Sequence, residues 1–226
     1  MKHFENNHFE NQKGQSLVTA MIEAIQSNSA LLSELDGVIG DGDHGINMNK
    51  GFTVTAERLQ NAPWDLTTGL DVLSSVLLDE IGGAMGPLYG TFFGELARVS
   101  AHGPINALAF GAMLRAGLDA VRALGNAQVG DKTLIDTLAP ACDAFEAAVA
   151  EGKGFWAALD DLARAAERGK ESTRELVAKV GRSSRLGERS RGLLDAGAVS
   201  CWLLLRAMGQ ASQALLFESP SPAKQE

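Results

Sequence analysis

The chain has 226 residues, a formal net charge of −8, 45% hydrophobic side chains and two cysteines. This length suits one large domain or two small ones with a sizeable core. The negative charge argues against binding to nucleic acid or anionic membranes, which needs basic patches. No apolar run approaches the roughly 20 residues of a membrane helix, and the polar N-terminus has no signal-peptide core. We therefore expect a cytoplasmic protein with buried, reduced Cys142 and Cys201.

Alanine and leucine dominate the chain and alternating β-branched runs are missing, so we predict an all-α fold. Apolar residues at helical spacing predict eight helices, at about 17–35, 45–59, 67–81, 87–99, 105–124, 133–149, 155–180 and 197–217. Pro140 should bend the sixth helix or mark its true start, and Gly169 is a candidate break in the seventh. Residues 1–15 and 218–226 are predicted to be disordered tails around a helical domain over 16–217.

The seven connections between these helices fall into two groups. The even ones, "NAPWD", "SAHGP" and "EGKG", are short and plain, whereas the odd ones are rich in glycine and mostly charged. The odd connections are "LDGVIGDGDHG", "GGAMGP", "GNAQVGDK" and "GRSSRLGERSRGLLDAG". Alternate loops of an antiparallel up-and-down bundle emerge at the same end. The sequence therefore predicts one site at one pole.

Three aspartates in the first of these loops indicate what the site binds. Asp36, Asp41 and Asp43 fall within eight residues and would repel one another without a cation. Magnesium takes carboxylates and substrate phosphates together, and glycines near helix N-termini let amides approach an anion. Lys132 and the arginines between 182 and 191 add donors for phosphate. We interpret the pole as a magnesium–polyphosphate site.

Each of these loop motifs also has a simpler structural interpretation. An isolated "DGD" is most often an Asx turn, and a lone histidine such as His44 is usually a hydrogen-bonding loop residue. An EF-hand is excluded because its closing glutamate and acidic spacing are missing. The stretch "GNAQVGDKT" is not a phosphate-binding P-loop, because Asp131 separates the glycine from the lysine and no strand precedes it. The arginine-rich run could be a solvated face, but its interleaved glycines favour a functional loop.

Taken together, the motifs resemble a known family. "LDGVIGDGDHGINMNKGF", "GGAMGPLYGTFF", "GDKTLIDTLAP" and "GRSSRLGERSRGLLDAGAVS" occur in the order of the nucleotide-binding L subunit of bacterial dihydroxyacetone kinase, the Dak2/DhaL domain family. The resemblance covers about 17–216 and implies an eight-helix antiparallel, barrel-like bundle with its nucleotide site in the loops at one end. It also implies that ADP or ATP and Mg²⁺, as two ions, are the cofactors.

The resemblance assigns roles to individual residues. Asp36, Asp41 and Asp43 would hold magnesium. The nucleotide would be bound by His44, Gly45, Ile46, Asn47, Ala84, Met85, Gly125, Leu134, Arg182, Asp195, Ala196 and Gly197. Two positions depart from the family pattern: Met85 replaces a serine and Ala196 a proline. These departures weaken one expected hydrogen bond and the expected rigidity of the 193–197 loop.

The resemblance also implies an activity. The chain would pass a nucleotide phosphate to dihydroxyacetone or a similar short ketose on a separate K subunit, and would be active only with that partner. No residue is identified as a general base. The standalone chain, "DGDHG" and "LGERS" favour the type in which bound ADP is rephosphorylated by the M subunit, a phosphohistidine protein of the phosphotransferase system. The alternatives are an ATP-exchanging subunit for another ketose and a nucleotide-sensing module that regulates a transcription factor.

Overall fold

The computed structural model describes residues 8–60 and 63–218, and its architecture is all-α. Within these residues eight α-helices follow one another, α1 to α8. They span Gln15–Ile39, His44–Leu59, Leu66–Glu80, Met85–Ser100, Ala107–Gly125, Ile135–Ala150, Phe155–Ser172 and Ala196–Glu218. The predicted all-α class and eight-helix count are confirmed. None of the described helices is long and apolar enough to cross a membrane.

The helices form a closed ring. Each helix packs against its neighbour in the chain, and α8 packs against α1 to complete the circuit. The apolar faces of all eight helices point into a shared core that includes Phe52, Phe93 and Phe110. Cys142 and Cys201 are buried there as free thiols, as predicted, and burial raises the pKa of both. Because successive helices are antiparallel, the odd connections all lie at one end of this ring.

Short polar side chains determine where several helices begin and end. Asp65 precedes α3 and accepts a hydrogen bond from the Thr68 amide at 2.8 Å, and Asn106 does the same for Ala109 before α5. Such caps satisfy amides that have no partner within the helix. Asn126 ends α5 in a left-handed conformation with φ of 52°. The bundle therefore has boundaries that local chemistry specifies.

The N-terminal segment corrects the predicted tail. Strand β1, His8–Phe9, pairs antiparallel with strand β2, Ile105–Asn106, and a short 3-10 helix follows at Asn11–Gly14. The Phe9 ring is 1% exposed and stacks on Phe155 at a centroid distance of 6.3 Å. Residues 8–15 thus belong to the folded body, because one buried ring anchors them. Residues 1–7 and 219–226 lie outside the described residues, and Glu218 is the last residue of α8.

Other predicted boundaries shift for local reasons. Helix α4 begins at Met85 rather than at Pro87, and α5 begins at Ala107 because Ile105 pairs with β1. Helix α7 ends at Ser172, well before Val180, and the chain then continues without regular structure to 181. Residues 173–180 contain no glycine or proline, so the sequence predicts that the helix continues through them. In the structure they have no regular helical conformation, and Val180 reaches the cavity wall.

Pro140 and Gly169 lie within helices and complement each other. Pro140 neither starts α6 nor ends it, since the helix runs from Ile135 to Ala150. A proline has no N–H, so the Asp136 carbonyl four residues earlier lacks its usual helical partner. A Cβ at Gly169 would overlap this carbonyl oxygen. Gly169 therefore does not break α7; its missing side chain lets α7 approach α6 closely.

The role of Phe9 can be tested by truncating its side chain. We expect Phe9→Ala to lower the free energy of unfolding by about 3 kcal/mol, because the ring leaves a cavity among aromatic residues. The measurement is urea unfolding followed by circular dichroism. His8→Ala is the control, since the His8 side chain is 53% exposed. Equal, small effects of the two substitutions would contradict the anchoring of this segment.

Candidate functional site

All four odd connections meet at one cavity of about 440 Å³. The end of α1 and start of α2, the turn before α4, the α5–α6 loop and the α7–α8 segment each contribute to its wall. The convergence follows from the alternation of helix direction around the ring. The predicted gathering of the glycine-rich loops at one pole is therefore what the fold produces.

The three aspartates form one cluster at the rim of this cavity. Asp36 lies in the last turn of α1, Asp41 in the loop, and Asp43 directly before α2; one carboxylate oxygen from each lies within 4.8 Å of the others. Any side chain at Gly40 would overlap the Asp36 carboxylate, and Gly42 has φ of +78°. The loop thus needs glycine at both positions to bring the carboxylates together. A set of three hard oxygen donors fits a magnesium ion.

Arg182 lies on the carboxylate cluster. Its guanidinium contacts the Asp41 carboxylate, and Nη1 lies 3.9 Å from Asp43 Oδ2. The arginine therefore supplies the positive charge that three neighbouring carboxylates require in this structure. Arg182 lines the cavity, where the resemblance implies that it binds nucleotide, and in this structure its guanidinium contacts Asp41 and lies near Asp43. Arg185 and Arg189 are exposed and are not among the residues that line it.

His44 is tied to the protein wall. Its amide donates to Asp36 Oδ2 at 3.3 Å, and its ring Nε2 lies 2.9 Å from Ser200 Oγ. Burial lowers the pKa of His44 to about 4, although the Asp36 carboxylate opposes the shift. The ring is consequently neutral at physiological pH. His44 and Asn47 both line the cavity.

Gly45 and Ile46, which the resemblance places along the phosphates, lie at the start of α2 beside the cavity-lining residues His44 and Asn47. A Cβ at Gly45 would overlap the Ser29 carbonyl of α1, so this glycine serves the close packing of α1 and α2. The Ile46 side chain is 64% exposed, and neither residue is among those that line the cavity. Both lie in the first turn of α2, where amide N–H groups have no intrahelical acceptor. These two residues can therefore bind a ligand through their backbone amides.

Much of the rest of the cavity wall is apolar. Ala84, Met85, Gly125 and Leu134 line it, as expected from the resemblance. Further lining residues that the sequence did not single out are Pro87, Leu88, Tyr89, Val121, Leu124, Ala127 and Ile135. Most of these continue the apolar faces of helices, so their spacing made them indistinguishable from core. The structure is needed to show that these residues lie where the helix faces meet the cavity.

The α5–α6 loop is held by a buried carboxylate. Asp136 accepts hydrogen bonds from the amides of Gly130 at 2.6 Å and Thr133 at 2.7 Å. Lys132, between them, is buried and has φ of 63°. Its ammonium donates to the carbonyls of Thr173 and Leu193, and burial lowers its pKa. Lys132 therefore joins the α5–α6 loop to the α7–α8 segment, and it also lines the cavity. Its use as a phosphate donor stays a prediction.

That segment closes the pole and leads into α8. Arg182–Ser190 forms 3-10 turns with a kink at Gly187, and Ser190 Oγ accepts the Ala178 amide at 2.9 Å. Asp195 caps α8 by accepting the Ala198 amide at 2.7 Å, and burial raises its pKa to about 7. Asp195, Ala196 and Gly197 all line the cavity. Lys132 contacts the Leu193 carbonyl and Asp195 contacts the Ala198 amide, so the turn is held on both sides of Ala196.

Comparison with known proteins places this pole in context. The family described as "DAK2 domain" matches residues 38–210. The ADP-binding subunit DhaL of PEP-dependent dihydroxyacetone kinase 1 of Listeria innocua is 38% identical, covering 83% of this chain and 90% of that one. The corresponding subunit of Escherichia coli is 35% identical, covering 84% and 92%.

A solved structure shares the fold. The dihydroxyacetone kinase from C. freundii in complex with AMP-PNP and Mg²⁺ superposes with a TM-score of 0.66 at 23% identity. The superposition covers 93% of this chain and 36% of that longer one. The resemblance inferred from the four loop motifs is thus confirmed, and the chain belongs to the DAK2 domain family, similar over most of its length to DhaL subunits.

Proposed function

We propose that the chain is the nucleotide-binding phosphoryl-transfer subunit of a dihydroxyacetone kinase. ADP remains bound as a coenzyme, a phosphohistidine protein of the phosphotransferase system rephosphorylates it, and the phosphate passes to dihydroxyacetone or a similar short ketose on a separate K subunit. The observation that carries the proposal is the meeting of three carboxylates with an apolar slot in one cavity. The names of the DhaL relatives support the choice of phosphate source.

Asp36, Asp41 and Asp43 would hold the magnesium, as two ions in the arrangement that the resemblance implies. Magnesium bound there supplies charge neutralisation for the phosphates. The residues of the chain itself orient the ligand. The Arg182 guanidinium already balances the aspartates, and a bound cation makes that role redundant, so Arg182 becomes available to phosphate oxygens. Magnesium and nucleotide should therefore bind with mutual reinforcement.

The phosphates would lie against the start of α2. The amides of Gly45 and Ile46 are in its first turn, and the helix dipole adds positive potential there. The base would fill the apolar part of the cavity lined by Met85, Gly125 and Leu134. The segment of Asp195, Ala196 and Gly197 would cover the opposite side. Binding would therefore use backbone amides for phosphate and apolar contact for the base.

The acceptor ketose and its general base are assigned to the K subunit. Phosphoryl transfer requires donor and acceptor to be aligned at close range. The rim at Asp41 and Asp43 is where the transferred phosphate would be presented, so the partner has to dock at this pole. The M subunit would approach the same pole, since it must reach the same phosphate. A regulatory partner is a third possible user of this surface.

The role of the aspartates is tested by neutralising one of them. Asp43→Asn should abolish magnesium-dependent ADP binding in calorimetry and leave the helical circular dichroism unchanged. The metal-free variant should be at least as stable as the wild type, because removing one of three neighbouring charges relieves repulsion. Asp41→Asn should lose binding too, but it also loses the Arg182 contact.

Asp71→Asn is the matched control, since Asp71 is exposed on α3, away from the cluster. It should bind Mg-ADP like the wild type. Wild-type affinity in both Asp41→Asn and Asp43→Asn would overturn the assignment of the metal site.

The coenzyme role of ADP is tested by what the purified protein carries. We expect about one ADP per chain to be released on denaturation, because a coenzyme has to dissociate slowly compared with purification. Prolonged chelation of magnesium should lower the melting temperature, since a ligand that binds only the native state stabilises it. A nucleotide-free protein that exchanges ATP readily would instead support the ATP-dependent alternative.

A further inference from the structure

A chain of buried and partly buried hydrogen bonds connects α4, α8 and α2 next to the carboxylate cluster. Ser200 Oγ lies 2.7 Å from the Tyr89 hydroxyl and 2.9 Å from His44 Nε2. Both hydroxyls also reach the Gly197 carbonyl oxygen, at 3.2 Å from Tyr89 and 3.1 Å from Ser200. Ser200 and Tyr89 are buried, and His44 directly follows Asp43. The network thus ends on the residue that begins α2.

We propose that Ser200 is a positioning residue that fixes the Nε2-protonated tautomer of His44. The Nδ1 atom is then a hydrogen-bond acceptor, and the His44 ring cannot donate to a phosphate oxygen. This consequence for phosphate binding rests on the proposed function, whereas the tautomer itself does not. At the start of α2 the phosphates would then contact the backbone amides of its first turn and not the His44 ring.

The tautomer follows from counting protons. Four short contacts join Tyr89, Ser200, His44 and the Gly197 carbonyl, and the carbonyl can only accept. With hydrogen on Nε2, three protons are available, and three of the four contacts become hydrogen bonds. With hydrogen on Nδ1, only the two hydroxyl protons are available and one of them is used towards Nε2. Within this network the Nε2-protonated tautomer therefore makes one more hydrogen bond.

The surroundings favour the same arrangement. Burial raises the pKa of Tyr89 well above its usual value, so its hydroxyl keeps its proton and can donate to Ser200. Ser200 can in turn donate to the Gly197 carbonyl within α8 while its lone pairs accept from Tyr89 and His44. An acceptor at Nδ1 suits a partner that carries hydrogen, such as a water that magnesium retains when it binds proteins.

The test is ¹⁵N NMR of histidine side chains in the full-length, nucleotide-free protein. We expect His44 to show the Nε2-protonated signature, with exposed His8 and His102 as internal references. Ser200→Ala should convert His44 to a mixture of tautomers. Tyr89→Phe should leave the His44 signature unchanged, because Ser200 still accepts from Nε2. Ser200→Cys, which keeps the size and weakens the acceptor, provides a second variant if the alanine protein does not fold.

Calorimetry with Mg-ADP provides the second readout. Ser200→Ala should weaken binding about fivefold, the effect of one net hydrogen bond. Ser212→Ala is the matched control, since Ser212 is also buried on α8 and its Oγ has no hydrogen-bond partner among the described residues. It should change neither readout.

Two results would overturn the proposal: an Nδ1-protonated His44 in the wild type, or an unchanged His44 signature in both Ser200 variants. Failure of the wild type to bind Mg-ADP would overturn the proposed function instead. The nucleotide-free spectra would still decide the tautomer.

Discussion

The mutual repulsion of three carboxylates is the constraint on which the site depends. Asp36, Asp41 and Asp43 converge because glycines at 40 and 42 allow a turn too tight for other residues. Such a cluster is stable only with a positive charge nearby. Arg182 supplies that charge from the α7–α8 segment, so the segment and the first loop are coupled through electrostatics. A cation that replaces the arginine frees it for an anionic ligand.

The closed ring of helices converts this local chemistry into a pocket. Antiparallel neighbours and the contact of α8 with α1 bring four loops distant in sequence to one pole. Two buried polar groups then hold those loops. Asp136 binds the α5–α6 loop through two amides, and Lys132 joins that loop to the carbonyls of Thr173 and Leu193. The loops are thus held from the core side by buried polar groups, while the cavity they surround combines carboxylates with a largely apolar wall.

The sequence predicted the fold class, the helix number and the clustering of the loops, because helical periodicity and loop parity are local properties. It could not predict the pairing of β1 with β2, which depends on the burial of Phe9 against Phe155. Nor could it separate pocket wall from core at Leu88 or Val121, since both follow the same apolar spacing. The network of Tyr89, Ser200 and His44 joins residues 156 positions apart, from His44 to Ser200, and only tertiary structure reveals it.

The most direct test of the account is reconstitution of phosphoryl transfer. The full-length chain would be mixed with a dihydroxyacetone-binding K subunit and supplied either with ATP or with phosphoenolpyruvate and the phosphohistidine relay. We predict ketone phosphate with the relay, none when the chain is omitted, and none when the K subunit is omitted. Absence of product under both phosphate sources, with a K subunit of proven activity, would contradict the assignment of this pole as a phosphoryl-transfer site.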